Sequence, residues 1–190
     1  MSEAASIAVE GAPPLALPSA RQWRANRRLT VLLCAIAFPV LCFVAFLTLT
    51  GPVVALFIGP VDKVLVDKSA KKLWLMRDGE RLYEADISLG KNPVGQKRRE
   101  GDQRTPEGRY SLDWRDAGTD YHRAILVSYP SKADRARGAA GGEIMIHGQK
   151  YFWRWFTKSP LTNGCIGVSN IAMDVIWSAT ELGTPIEIRP

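Results

Sequence analysis

EIMIHG (Glu143–Gly148) and, after a spacer, TNGCIGVSN (Thr162–Asn170) are the segments on which the reading of this 190-residue chain turns. They hold one of its two histidines, His147, and Cys165, the single cysteine outside an apolar N-terminal run. Cysteine attacks as its thiolate, and a histidine within reach supplies that form by taking the thiol proton. Positions 147 and 165 are too far apart for a turn of helix to pair them; two adjacent strand ends can. Gly148 and Gly164 flank the pair. Lacking Cβ, they let a substrate backbone approach and leave N–H groups open to a developing oxyanion.

Outward from this pair the chain reads as strands. AILVSYP (Ala124–Pro130) and EIMIHG itself are two. LWLMR (Leu73–Arg77) and ERLYEADISLG (Glu80–Gly90) flank Asp78-Gly79, a dipeptide suited to a two-residue hairpin. VDKVLVD (Val61–Asp67) offers Val64, Leu65 and Val66 to a core. TPEGRYSLDW (Thr105–Trp114) turns at Thr105-Pro106 and Gly108 into a further strand, and PIEIRP closes the chain. From Ile171 to Leu182 the period changes: Met173, Ile176, Trp177 and Thr180 fall at helical intervals. Asn170 is the expected N-cap and Gly183 the expected stop. Many short strands with one helix predict a mainly β sandwich or barrel-like domain.

His147-Gly148, then Thr162-x-Gly164-Cys165-Ile166 and Asn170, resemble the YkuD-type L,D-transpeptidases, in which His-Gly and a spacer precede Ser/Thr-His-Gly-Cys and a nearby Asn. Asn163 stands where most members have a second His, and Gly167 where many have Arg. The flanking text, from Val61-Asp62-Lys63-Val64 through TPEGRY to GTPIEIRP, is most similar to the YafK-like subgroup. The resemblance covers residues 61–190 and implies a YkuD-like sandwich or barrel domain with one helix near its C-terminus. It implies Cys165 as nucleophile, His147 as general base and acid, and the backbone of Gly164 and Cys165 at the oxyanion. Asn163, Gly148, Thr162 and Asn170 become orienting or substrate-binding candidates. The implied reaction is attack on the L-centre carbonyl of a diaminopimelate–D-amino acid bond in a peptidoglycan stem peptide, then transfer of the thioester to an amine. No metal or organic cofactor is implied. Two alternatives stay open. Water in place of the amine makes an endopeptidase- or amidase-type hydrolase that releases a wall-linked lipoprotein or cuts cross-links. A non-catalytic, membrane-tethered wall-binding module is the other.

The N-terminal third reads differently. Residues 1–28 form an Ala/Pro/Ser-rich tail, expected to be disordered, that ends in the basic cluster Arg21, Arg24, Arg27 and Arg28. No charge occurs from Leu29 to Gly59, and a bilayer-spanning helix needs only ~20 apolar residues. Residues 29–58 are therefore expected to be a single transmembrane anchor, with Pro39 tolerated inside it. The arginines keep the N-terminal end cytoplasmic and place the domain across the inner membrane, in the periplasm or envelope. A cleaved signal peptide is the competing reading, but Gly51-Pro52 with more apolar residues after it offers no small-x-small cleavage site.

Other features point away from other functions. The net charge of +6 is a mild excess that reads as solvated surface, and no motif supports nucleic-acid binding. Gly90–Arg104 lacks the Lys-Ser/Thr that a phosphate loop needs after its second glycine and reads as an exposed loop, which the family likeness brings near the approach to the site. His122 has no metal-ligand spacing to His147 or Cys165 and reads as structural. Tyr151, Phe152, Trp153, Trp155 and Phe156 suit core packing, a lipid-facing edge or a wall of the cleft. Neither Asp174 nor Glu143 can be assigned by spacing to orient His147, which leaves a backbone carbonyl for that work; Asn163 can orient a ring or a substrate amide. A carbapenem-type β-lactam is expected to acylate Cys165. Mass spectrometry of the reduced protein should find the drug's mass on the wild type and none on Cys165→Ala.

Overall fold

The computed structural model describes residues 20–150 and 161–190; the expected tail over 1–19 and the aromatic run Tyr151–Phe156 lie outside them. The chain divides into two units, the second running from Ala45 to Pro190. Helix α1 (Ala20–Ile58) is long and apolar enough to cross a membrane and continues through Pro39 and Pro52. It starts earlier than expected, so the arginine cluster lies in its first turns rather than in a tail. It ends at Gly59, whose φ of +70° suits a residue without Cβ and whose N–H bonds the Ala55 carbonyl at 2.8 Å. The Arg77 guanidinium donates to the Ile58 carbonyl at 2.9 Å, setting a cation where the helix dipole is negative. Within the second unit, Gly51 and Ala55 of α1 are buried.

Among the described residues eight strands follow: β1 (Lys63–Asp67), β2 (Lys72–Arg77), β3 (Glu80–Asp86), β4 (Gly108–Asp116), β5 (Ala124–Val127), β6 (Met145–His147), β7 (Ile166–Gly167) and β8 (Pro185–Arg189). Their order in the sheet is β3-β2-β1-β8-β4-β5-β6-β7. The pairings β1–β8 and β6–β7 are parallel and the rest antiparallel. The β2–β3 hairpin turns at Asp78-Gly79, both at positive φ. Past β3 the chain reaches the far edge of the sheet, where Ser88 and Gly167 exchange N–H···O bonds of 2.7 and 2.9 Å. This contact curls the sheet into a half-barrel, the mainly β architecture expected.

Helix α3 (Asn170–Ala179) packs against one face of the sheet. Met173, Val175 and Ile176 join Val64, Val66, Leu73, Leu75, Ile186 and Ile188 in one core cluster. Burial of each such side chain contributes ~1.5–3 kcal/mol. On the other face the indole of Trp74 lies under Arg81 at 4.2 Å and donates to Glu84 at 2.8 Å. The N-cap of α3 is Ser169, whose hydroxyl accepts the Ala172 N–H at 3.2 Å, and not Asn170 as expected. The helix stops at Thr180, before Gly183, which instead turns the chain at φ +85° into β8. A short α2 (Lys132–Ala136) was not expected; a Ser131–Asp134 capping box holds it.

The loop after β3 is not simply exposed. Lys97 is buried and its ammonium meets Asp102 at 2.8 Å. Asp102 also accepts the backbone N–H groups of Arg98, Arg99 and Arg104, and these donors hold its carboxyl far below the ordinary carboxylate range. Lys68, also buried, donates to the carbonyls of Gly95 and Thr105 and to Glu107. At Gly90 a Cβ would collide with the carbonyl of Gln103. Gly90→Ala is therefore expected to destabilise the fold by about 1–3 kcal/mol in urea unfolding, the usual range for overpacking. Gly118→Ala, whose Cβ would meet only Asp116 Oδ1 at 3.6 Å, should be near neutral.

Candidate active site

In the parallel β6–β7 ladder Ile146 lies opposite Ile166, and His147 opposite Gly167. Side chains two apart share a face of a strand. Ile146 and Ile166 therefore enter the core, both fully buried, while Met145, His147 and Cys165 turn to the other side. There they line a cavity of about 310 Å³ with Lys91, Tyr121, Thr162 and Asn163. The two residues singled out by type alone, far apart in sequence, thus share one wall. The Val168 N–H bonds the His147 carbonyl at 2.9 Å and continues the register.

His147 is buried, its ring tilted against Tyr121 with centroids 4.7 Å apart. Its Nδ1 is 2.8 Å from the Gly148 carbonyl. A carbonyl only accepts, so Nδ1 carries the proton and Nε2 keeps a lone pair. The orienting group is thus a backbone carbonyl. Burial lowers the imidazole pKa below the ordinary histidine value, and the Gly148 carbonyl offsets this only in part. Burial also raises the Cys165 thiol above its ordinary value; a backbone hydrogen bond from Met145 and the charge of Lys97 oppose that, and Glu143 adds to it. Both shifts favour a neutral imidazole and a neutral thiol at rest. The thiol donates to the Glu143 carbonyl at 3.5 Å.

The loop before the cysteine is held by Thr162, whose hydroxyl donates to the Cys165 carbonyl at 2.6 Å and accepts the Gly164 N–H at 3.1 Å. Of the two N–H groups expected at an oxyanion, that of Gly164 is therefore turned to Thr162. Gly164 has a φ of +138°, and a Cβ on it would lie 2.8 Å from the Arg104 carbonyl. The Gly90–Arg104 loop thus forms the backing of the loop before Cys165. Asn170, buried, does not face the cavity group directly; its Oδ1 accepts the Gln149 N–H at 2.6 Å and so fixes the turn after His147. Gly148 fits where a Cβ would meet Asn170 Oδ1 at 2.6 Å and the Tyr121 carbonyl at 2.9 Å. Asn163 lines the cavity. Sequence reasoning missed Tyr121, Lys91 and the Thr162 hydroxyl's double role; an aromatic before His122 was the one visible signal.

An imidazole and a thiol on one wall of the same cavity, backed by glycine, suit acyl transfer through sulfur. Residues 62–188 match the model of the YkuD L,D-transpeptidase catalytic domain, and the chain belongs to that family. Its domain is therefore of the L,D-transpeptidase catalytic type. Over 86 residues it is 34% identical to the putative L,D-transpeptidase YafK of Escherichia coli K12, a match spanning 44% of this chain and 31% of that protein. The helical cell shape determining protein Pgp2 of Campylobacter jejuni superposes with a TM-score of 0.55 at 25% identity, over 74% of this chain and 56% of that one. Bd1075 of Bdellovibrio bacteriovorus gives 0.52 at 26%, over 68% and 48%. The chain thus spans about a third of that curated relative and about half of those two structures.

A buried neutral histidine couples folding to pH. The unfolded chain takes a proton near the ordinary value of about 6.5, while the folded site resists it. The stability so gained is fully present above that value and falls as pH drops below it. Urea unfolding of the wild type minus that of His147→Gln should therefore fall by up to about 1.4 kcal/mol per pH unit below pH 6.5 and be flat above.

Proposed function

We propose that this protein is a membrane-anchored cysteine acyltransferase of peptidoglycan, with Cys165 as nucleophile and His147 as general base and acid. The observation that carries the reading is the shared face of β6 and β7, which turns a thiol into the same cavity as an imidazole whose Nδ1 is pinned by the Gly148 carbonyl. Because both groups rest neutral, the proton leaves Sγ for Nε2 as the sulfur attacks the L-centre carbonyl of the stem peptide. The Cys165 N–H is the oxyanion donor, a contribution of ~3 kcal/mol. His147 then returns the proton to the departing amine, leaving a thioester. An incoming amine resolves it into a 3-3 cross-link or a wall-attached partner.

The span within α1 anchors the chain in the inner membrane and holds the catalytic unit on the periplasmic side, as the arginines in its first turns favour. The domains are the anchor over residues 29–58 and the catalytic domain over 61–190, to which the end of α1 is added. The partly exposed sulfur and open cavity admit water as well as an amine. That supports a second reading, hydrolysis of the same thioester with release of cross-links or of a wall-linked lipoprotein.

Muropeptide mass spectrometry on sacculi from cells expressing wild type or Cys165→Ala separates these readings. A Cys165-dependent rise in 3-3 linked dimers is expected for the transferase. A Cys165-dependent loss of 3-3 linked or lipoprotein-modified material would make the enzyme a hydrolase. Identical sacculi would remove catalysis altogether and leave a wall-binding module.

A further inference from the structure

We propose that Asp174 is a positioning residue for the catalytic base, and that the last turns of α1 complete the site by packing on it at Gly51. The inference rests on the reading of His147 as general base. Asp174 sits in the middle of α3 and is buried, where a carboxylate is costly unless it is paired and hydrogen-bonded. Its Oδ1 accepts from His122 Nε2 at 2.7 Å and from Arg123 Nη1 at 3.0 Å. These two residues belong to the short segment that forms the outer wall of His147. Tyr121 lies against the His147 ring, the Arg123 carbonyl accepts the Gly148 N–H at 3.1 Å, and the Tyr121 carbonyl and His122 Cβ crowd Gly148. Gly148 in turn supplies the carbonyl that sets the His147 tautomer.

The segment is held by more than its local turn. His122 has a φ of +70°, an uncommon conformation for a residue with Cβ, and such backbone is retained when surrounding contacts fix it. Asp174 is a long-range contact that holds it, beside the Arg123 N–H to Tyr121 carbonyl bond of 2.9 Å that spans His122. On its other side Asp174 meets α1: a Cβ on Gly51 would collide with the Asp174 Cβ and lie 3.1 Å from the Ile171 carbonyl. The approach of the two helices is set by a missing side chain. Val54, Ala55 and Ile58 pack against the same core cluster, and the Val61 N–H reaches the Ala179 carbonyl at 3.0 Å. A displacement of α1 at Gly51 therefore moves Asp174, then residues 121–123, then the imidazole.

The test uses the full chain in detergent micelles and follows acylation of Cys165 by a carbapenem-type β-lactam across drug concentrations, with thermal melting measured in parallel. Asp174→Asn and Gly51→Leu are expected to lower the first-order acylation constant about 10-fold or more, the scale of loss for a misplaced catalytic group. The concentration for half-saturation should stay unchanged. Leu56→Ala, on the exposed side of the same helix, should acylate as the wild type does. A wild-type acylation constant in Asp174→Asn, or a fall that only tracks the unfolded fraction, overturns the positioning role. The imidazole NMR signals of the two histidines give an independent readout. If the wild type fails to acylate, the nucleophile reading falls, and the His147 signal still decides: moved in both variants supports the proposal, unmoved overturns it. A shift in Asp174→Asn alone overturns the part assigned to α1.

Discussion

Gly167 is bonded on one side to Ser88 and lies in register with His147 on the other, so a strand of two residues carries the closure of the whole sheet. Both neighbours approach its backbone closely. The closure makes the site possible because it fixes how far β7 can slide along β6. A slip by one residue would send Cys165 into the core and Ile166 into the cavity. Ile146 and Ile166, both fully buried, resist that slip with the free energy of their burial. The position of the sulfur is thus maintained by apolar side chains that never touch the cavity.

The polar parts of the domain serve the same geometry by a different means. Asp102 gathers three backbone N–H groups and one buried ammonium, which makes a charged run of sequence fold inward as a compact loop. That loop brings the Arg104 carbonyl against Gly164 and leaves no room there for a side chain. The field of Lys97 favours the thiolate without overcoming burial. The balance favours the uncharged thiol at rest.

The strands were legible because their patterns are local: alternating or continuous aliphatic runs, with Asp78-Gly79 between two of them. His147 and Cys165 were legible by residue type and by their glycine neighbours, and the family likeness named their order. What remained hidden depends on contacts between distant positions. Asn170 looks like a helix cap, yet its side chain is drawn to Gln149, so the preceding Ser169 takes over the capping. Asp174 and His122 are far apart in the chain and only the packing of α3 joins them. Lys97 resembled any surface lysine because its partner, Asp102, is recognisable only once the loop closes. Ser131 and Asp134 did carry a local signal, but five residues of helix are too few to show a period.

The burial that raises the Cys165 thiol also governs its durability. Thiol–disulfide exchange and oxidation to sulfenic acid both proceed through the thiolate. A sulfur that burial keeps in its thiol form offers small oxidants little to attack. In any oxidising compartment, where disulfides persist, the same restraint slows the capping of a lone thiol. Low resting reactivity is then part of the shelf life of the site.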